Sequence, residues 1–280
     1  MTTPSLTKPP SAAPPTASPV LPGRRPFPVG RVVGVLVVVA ITVWACLPST
    51  GIGFDVSTII NNFSNVNRNV RALLHPAWSW WTQPLKPLLE TVEMAVIATA
   101  AGGLVALPLS FFGSPMTTPS RVAVRIFRFL LSILRAIPDL LLALLFVAMI
   151  GVGALSGILA LFLFTIGIIV KLTSEAIDGV DTGPMEAARS TGAGWIQADK
   201  VAILPQILPT FAGTALYVFE LNIRASAVLG LVGAGGLGDT INTARSFFHY
   251  DRVSIIVFEL LVVVIVLEMV SQTLRKRLSA

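Results

Sequence analysis

The chain has 280 residues, of which 54% are hydrophobic and 12% charged, with 20 Lys and Arg against 14 Asp and Glu. A water-soluble domain carries about 25% charged residues, so this composition excludes an ordinary soluble enzyme and a disordered chain. The single cysteine, Cys46, excludes a disulfide framework and a cysteine-based metal site. The net charge of +6 does not indicate nucleic acid, because the basic residues lie between long apolar segments typical of membrane helices.

The apolar regions of the sequence predict six membrane-spanning helices, since a helix needs about 20 mostly apolar residues to cross a bilayer. Residues 140–170 carry no charge over a length too great for one span and too short for two. We therefore place a Gly-rich turn at 151–157. The helix before it begins near Val122 and includes Arg128, Arg135, Pro138 and Asp139, and the helix after it ends near Ile177. The other predicted spans are residues 31–47, 88–112, 207–229 and 253–272.

The distribution of Lys and Arg predicts the orientation, because cytoplasmic loops of membrane proteins are enriched in both. With the N-terminus inside, twelve basic residues fall in cytoplasmic segments and five in outer segments. Both termini are thus predicted on the cytoplasmic side of the plasma or inner membrane. Residues 1–30, rich in Pro, Ser and Thr, are predicted to form a disordered tail. Residues 31–87 are predicted to hold the first span and a polar outer loop, and residues 88–280 the main transmembrane domain.

Three pairs of opposite charges lie within the predicted spans, each with its members four residues apart and so on one helix face. Charges inside a bilayer are costly unless they are paired or hydrated. For two pairs we favour roles at span ends, where side chains reach water or lock helices together: Arg135 with Asp139, and Lys171 with Glu175. For the third pair we favour a translocation path in the outer half of the fifth span, with Arg224 as a positive site for an anionic substrate: Glu220, Asn222 and Arg224.

A long polar loop, residues 178–206, separates the fourth and fifth spans and contains clear helix signals. Pro184 suits the first position of a helix, and Glu186 is favoured near the positive end of the helix dipole. Gly192 or Gly194 suits the end of that helix. A second short helix is predicted over 195–201. On spacing alone, this pair of cytoplasmic helices either connects two spans or binds a partner.

The same loop resembles the EAA loop of ABC importer permeases at five positions: Glu186, Ala187, Ala188, Gly192 and Pro205. The family closes its motif with Ile-x-Leu-Pro, whereas here Ala202 holds the Ile position and Ile203 lies beside it. The resemblance implies that this coupling loop, residues 178–206, docks into a groove on a separate ATPase subunit. Glu186 would make a polar contact there, and the small residues would permit close approach.

Further segments resemble phosphonate ABC-transporter permeases, which share the fold of the methionine importer permeases: residues 135–139, 171–178 and 219–238. The resemblance covers about residues 85–275. It implies a second copy of the chain, a dimer of ATPase subunits holding ATP and magnesium, and an extracytoplasmic substrate-binding protein. The implied substrate is a phosphonate, phosphite or phosphate, moved into the cytoplasm by alternating access. The chain has no Walker A sequence, so we expect a transport subunit that is not itself an enzyme and holds no cofactor.

A run of glycines matches the spacing of a dinucleotide-binding motif: Gly233, Gly235, Gly236 and Gly238. That motif needs a preceding strand, and here a membrane helix precedes it. We instead predict a flexible outer loop or re-entrant segment that shapes an outer gate. Because only His75 and His249 are present, we expect no metal site.

The sequence therefore predicts an all-α polytopic membrane protein with an ABC importer permease fold. Two other functions stay open. One is an ion- or proton-coupled secondary transporter with Glu220 and Arg224 as its relay, although such transporters often contain inverted repeats and the sequence shows no second copy of either distinctive loop. The other is a membrane scaffold that transports nothing.

Overall fold

The computed structural model describes residues 29–46 and 56–278, and in these ranges the chain is α-helical between its turns. This confirms the predicted all-α class. The chain divides into two units, residues 1–63 and 64–280. The first unit contains α1 (Val29–Cys46) and α2 (Val56–Asn61). The described side chains of α1 are almost all apolar and exposed, as suits a helix surrounded by lipid. The predicted tail lies outside the described residues, apart from its last two.

The second unit is a bundle whose centre is formed by α4, α7 and α10, which pack against one another along their lengths. Met94, Leu161 and Leu229, one from each of these helices, lie together in the apolar core. The helices of this unit, with α3 beginning at the boundary, are α3 (Phe63–Leu74), α4 (Leu85–Phe112), α5 (Arg121–Ala136), α6 (Asp139–Ile150), α7 (Ala154–Asp178), α8 (Gly183–Ser190), α9 (Trp195–Ala198), α10 (Leu204–Leu229), α11 (Gly236–Ser246) and α12 (Tyr250–Leu278).

The predicted number of six spans is not confirmed. In the described part of the chain, four helical stretches are long and apolar enough to cross a membrane: Leu85–Phe112, Ala154–Asp178, Trp195–Val232 and Tyr250–Arg277. α5 and α6 meet the same requirement only together, and a bend of 81° separates them. The apolar part of α1, Val32–Cys46, is shorter than a full span. By length and composition the count is four, or five if the bent pair forms one span.

The prediction that a single helix runs from near Val122 past Pro138 is wrong. α5 ends at Ala136, and Ile137 adopts an extended conformation with ψ of 122°. A residue that precedes proline is forced out of the helical region, because the proline ring clashes with its backbone. A new helix then begins at Asp139. Arg135 and Asp139 therefore lie on two helices, and not on one face of a single helix as their spacing predicted.

The turn predicted at 151–157 is confirmed but is shorter. It comprises residues 151–153, and Ala154 already begins α7. Gly151 and Gly153 both have positive φ, at 106° and 137°, which is the left-handed region that side chains disfavour. The glycines thus allow the chain to reverse between α6 and α7 within three residues.

Part of the predicted outer loop is fixed to the start of α12. The ring of Trp78 meets that of Phe258 edge-on, with centroids 5.4 Å apart. The guanidinium of Arg252 lies 5.2 Å above the ring of Trp80. Aromatic and cation–π contacts of this kind hold the segment after α3 against α12.

Candidate coupling and translocation sites

The coupling loop begins with the helix that its sequence predicts. α8 covers Gly183–Ser190, has Pro184 in its first turn and carries Glu186 near its N-terminus. Gly192 follows it with φ of 87°, so the chain leaves the helix through a left-handed residue. A second helix begins at Trp195 as predicted, but the prediction that it ends near 201 is wrong. α9 continues through a π-helical turn at Asp199–Ile203 into α10 without a break.

One face of α8 packs on the bundle and the other faces outward. Met185 is buried in an apolar cluster with Ile177 and Ile203, and Ala188 packs partly buried against the same cluster. Glu186 and Ala187 are exposed on the opposite face. Gly192 and Pro205 are exposed as well. The structure thus leaves four of the five predicted contact residues accessible and turns Ala188 toward the protein interior.

Gln206 anchors the start of the coupling loop to α10. Its Nε2 donates to the carbonyls of Asp181 at 3.2 Å and Ala202 at 2.8 Å, and its Oε1 accepts from the Asp181 N–H at 3.2 Å. Asp181 Oδ1 in turn accepts from the Gly183 N–H at 3.0 Å, which orders the turn before α8. The Asp-x-Gly spacing is a local turn signal. The role of Gln206 has no local signal, because its partner is 25 residues away.

A polar junction joins the middle of α5 to the ends of α4 and α7 beside the coupling loop. Arg128 of α5 donates through Nη2 to Asp178 Oδ2 at 2.6 Å and through Nε to the Gly113 carbonyl at 2.7 Å. Ser114 donates to Asp178 Oδ1 at 2.5 Å. The junction lies at the end of the bundle at which α4 and α7 finish. Sequence reasoning missed it, because the pairing of Arg128 with Asp178 spans 50 residues.

Two of the three predicted charge pairs form. Lys171 is ion-paired with Glu175, and Arg224 with Glu220. The Glu220 side chain is 10% exposed, and its second oxygen lies 3.7 Å from Arg275 near the end of α12. Two arginines therefore compensate this carboxylate, which offsets the cost of burying it. The placement of Glu220 and Arg224 in the outer half of the membrane stays a prediction.

Asn222 connects the three central helices. Its Nδ2 donates to Thr99 Oγ1 of α4 and Thr165 Oγ1 of α7, each at 2.8 Å, and the residue is fully buried. In this conformation the side chain faces neighbouring helices and not an open path. The path role predicted for Asn222 stays a prediction, and its geometry is that of a contact that fixes the packing of α10.

We expect Asn222→Leu to lower the free energy of unfolding by about 1–3 kcal/mol, because two hydrogen bonds are lost and two buried hydroxyls lose a partner. The thermal unfolding midpoint of the detergent-solubilised protein measures this. Thr214→Ala is the control, since Thr214 Oγ1 donates to the Thr210 carbonyl of its own helix and joins no other helix in the described part of the chain. Equal midpoints for the two variants would contradict a packing role for Asn222.

The glycine-rich segment is packed into the bundle and does not form a free loop. The Gly233 carbonyl accepts from the Gly153 N–H at 2.8 Å. The Leu237 N–H donates to Thr91 Oγ1 of α4 at 2.8 Å. Gly230 and Gly238 approach so closely that a Cβ on either would lie 2.6 Å from the other's Cα. The segment thus begins α11 in close contact with α4 and the start of α7, and its role in an outer gate stays a prediction.

This arrangement defines a class of protein: a polytopic membrane subunit with a helical coupling loop at one end of its bundle. The family described as "Binding-protein-dependent transport system inner membrane component" matches residues 106–280. The chain belongs to this family and is a permease subunit of an ABC importer.

Individual relatives and solved structures agree with this assignment. The chain is 36% identical over 222 residues to the phosphite transport system permease protein PtxC of Stutzerimonas stutzeri, covering 79% of this chain and 81% of PtxC. It is 37% identical over 189 residues to the phosphate-import permease protein PhnE of Mycolicibacterium smegmatis, covering 68% of this chain and 36% of PhnE. The inward-facing methionine ABC transporter MetNI has the same fold, with a TM-score of 0.61 at 22% identity over 70% of this chain and 95% of that one.

Proposed function

We propose that this permease moves a phosphonate-type oxyanion, namely phosphonate, phosphite or phosphate, into the cytoplasm. The observation that carries the proposal is the similarity to PtxC, which extends over four-fifths of both chains. These substrates share one feature, because each is a compact tetrahedral anion. A permease for such an anion needs positive charge along its path and a means of coupling that path to ATP hydrolysis.

The proposed assembly contains two copies of this chain, because each copy supplies one coupling loop. Each loop would dock on one subunit of an ATPase dimer, which holds ATP and magnesium, and an extracytoplasmic binding protein would deliver the substrate. The exposed face of α8, with Glu186 and Ala187, supports this role for the loop. Its opposite face is packed on Ile177 and Ile203, so movement of α8 would be transmitted directly to α7 and to the π-helical turn that leads into α10.

The test of the proposed function is reconstitution of the complete importer, comprising permease, ATPase and binding protein, in proteoliposomes. Phosphite, methylphosphonate and phosphate are supplied in turn, with sulfate and methionine as comparison substrates. We expect at least one phosphorus oxyanion to stimulate ATP hydrolysis and to accumulate inside. Stimulation by sulfate or methionine alone would overturn the proposed substrate class. Uptake that continues without ATP and collapses with the proton gradient would support the secondary transporter, which the family assignment does not favour.

We retain the path role of Glu220, Asn222 and Arg224 and its predicted consequence for Arg224. Arg224→Ala is expected to lower uptake by the reconstituted importer only several-fold, because Glu220 already neutralises much of the arginine's charge. The control for assembly is co-purification of the ATPase, which the variant should bind as the wild type does. Unchanged uptake in such a complex would remove Arg224 from the path.

A further inference from the structure

A stripe of polar residues runs along α5. Its members are spaced alternately by three and four residues, which places them on one helix face: Arg121, Arg125, Arg128, Ser132 and Arg135. The middle member of the stripe, Arg128, meets Asp178 at the end of α7 in the polar junction. From there α5 runs along the bundle toward the break at Pro138. Arg135 is the last member of the stripe before this break.

The position of Arg135 along the bundle follows from its neighbour on α7. A Cβ on Gly167 would lie 3.0 Å from Cγ of Arg135, so the arginine stem crosses α7 where no side chain obstructs it. Gly167 is near the middle of Ala154–Asp178, one of the helices long and apolar enough to span a membrane. At about 1.5 Å per residue, it lies about 16 Å from Asp178, which is half the thickness of a bilayer core. The charge of Arg135 is thus placed deep in the predicted membrane region.

Arg135 differs from the other basic residues within the predicted spans, because Lys171 and Arg224 each have a carboxylate partner. In the ranges 29–46 and 56–278, no carboxylate lies within 4.0 Å of the Arg135 guanidinium. The helix break at Pro138 separates it from Asp139, whose Oδ1 accepts from the Leu140 N–H at 2.9 Å. An arginine at this depth requires water or an anion to compensate its charge.

A cavity of about 350 Å³ provides that space. Arg135 lines it together with Pro138, Asp139, Phe164 and Gly167. The helix break at Pro138 and the small size of Gly167 both leave room for the cavity. The cavity is large enough for a small tetrahedral anion, since a water molecule occupies only about 30 Å³ of liquid. Asp139 on the same wall carries the opposite charge. Its negative charge would weaken the binding of an anion, which suits a transport site because such a site must release its ligand.

We propose that Arg135 is the positive site in this cavity that binds the phosphorus oxyanion during passage through the membrane. This inference rests on the proposed function and specifies the residue that receives the substrate. Arg224, the arginine that the sequence favoured, is already paired with Glu220. Arg135 retains its charge for a ligand because the Pro138 break prevents the pairing that its spacing with Asp139 suggested.

The test compares Arg135→Gln and Arg135→Lys in the complete importer reconstituted in phosphatidylcholine vesicles. Uptake of labelled phosphite, methylphosphonate or phosphate and ATP hydrolysis are measured in the same samples. Arg135→Gln is expected to lower uptake at least about tenfold, because a charged hydrogen-bond donor to the anion is lost. ATP hydrolysis stimulated by the loaded binding protein is expected to change less than about twofold, since coupling is intact. Arg135→Lys keeps the charge and is expected to retain part of the uptake.

Arg125→Gln is the matched control, because Arg125 lies on the same stripe but outside the cavity. It is expected to leave uptake unchanged. Equal uptake by Arg135→Gln and the wild type would overturn the inference, as would a parallel loss of uptake, ATP hydrolysis and assembly, which would show a structural role. An effect of Arg135 only when phosphatidylglycerol is added would assign the site to a lipid phosphate and also overturn it. If the wild type moves none of the oxyanions, the proposed function itself fails and the inference fails with it.

Discussion

Glu186→Lys is expected to abolish most ATP-driven uptake, with a loss of at least about thirtyfold, because truncating or reversing one partner of a charged interface contact costs about 2–5 kcal/mol. Glu186 is exposed on α8, and the neighbouring Met185 holds the helix in place from the other side. The substitution therefore changes the exposed face of α8, which we propose docks on the ATPase, and leaves the packing of the helix on the bundle intact. Uptake into proteoliposomes and co-purification of the ATPase measure the effect.

Glu186→Gln is the matched variant, since it keeps the size of the side chain and one acceptor oxygen while removing the charge. We expect it to retain a larger part of uptake than the lysine variant. Met185→Ala provides the contrast, because it removes a buried side chain and so acts through the stability of the loop. If Glu186→Lys co-purified with the ATPase and supported normal uptake, Glu186 would have no part in coupling.

Gly238→Ala is expected to destabilise the bundle by about 3 kcal/mol or more, at the upper end of the cost of overpacking a core. A Cβ at this position would overlap the Ala227 carbonyl oxygen and would lie 2.6 Å from the Gly230 Cα. These are backbone atoms of α10 and the turn after it, which cannot move aside as a side chain can. The thermal unfolding midpoint in detergent should fall by several degrees.

Gly103→Ala is the control for this variant. Gly103 is a buried helix glycine like Gly238, but a Cβ there would meet Ile169 and Phe211 at 3.8 Å, an ordinary contact distance. We expect a small change in the unfolding midpoint, because the added methyl group fits and alanine favours the helix. Equal destabilisation by the two substitutions would show that the close approach of Gly230 and Gly238 does not limit the packing of α11.

Local features were predictable where the signal lies in neighbouring residues. Pro184 and Glu186 marked the start of α8, and Gly192 marked its end, because capping preferences act within one helical turn. The pairs Lys171/Glu175 and Glu220/Arg224 formed as predicted, since residues four apart on one helix are neighbours whatever surrounds them. The same rule failed at Arg135 and Asp139, where the effect of Pro138 on the backbone outweighed the apolar pattern around it.

The sequence by itself determined the all-α class, the membrane character and the position of α8, because apolar runs, charge spacing and capping residues act locally. Only the tertiary structure decided which polar residues meet across the bundle. It joined Asn222 to Thr99 and Thr165 and brought Gln206 to Asp181. It also placed Arg135 beside a cavity with no carboxylate of the described residues within 4.0 Å. These contacts depend on the way α4, α7 and α10 pack, and the free energy of that packing is distributed over the whole core and is not encoded at any one position.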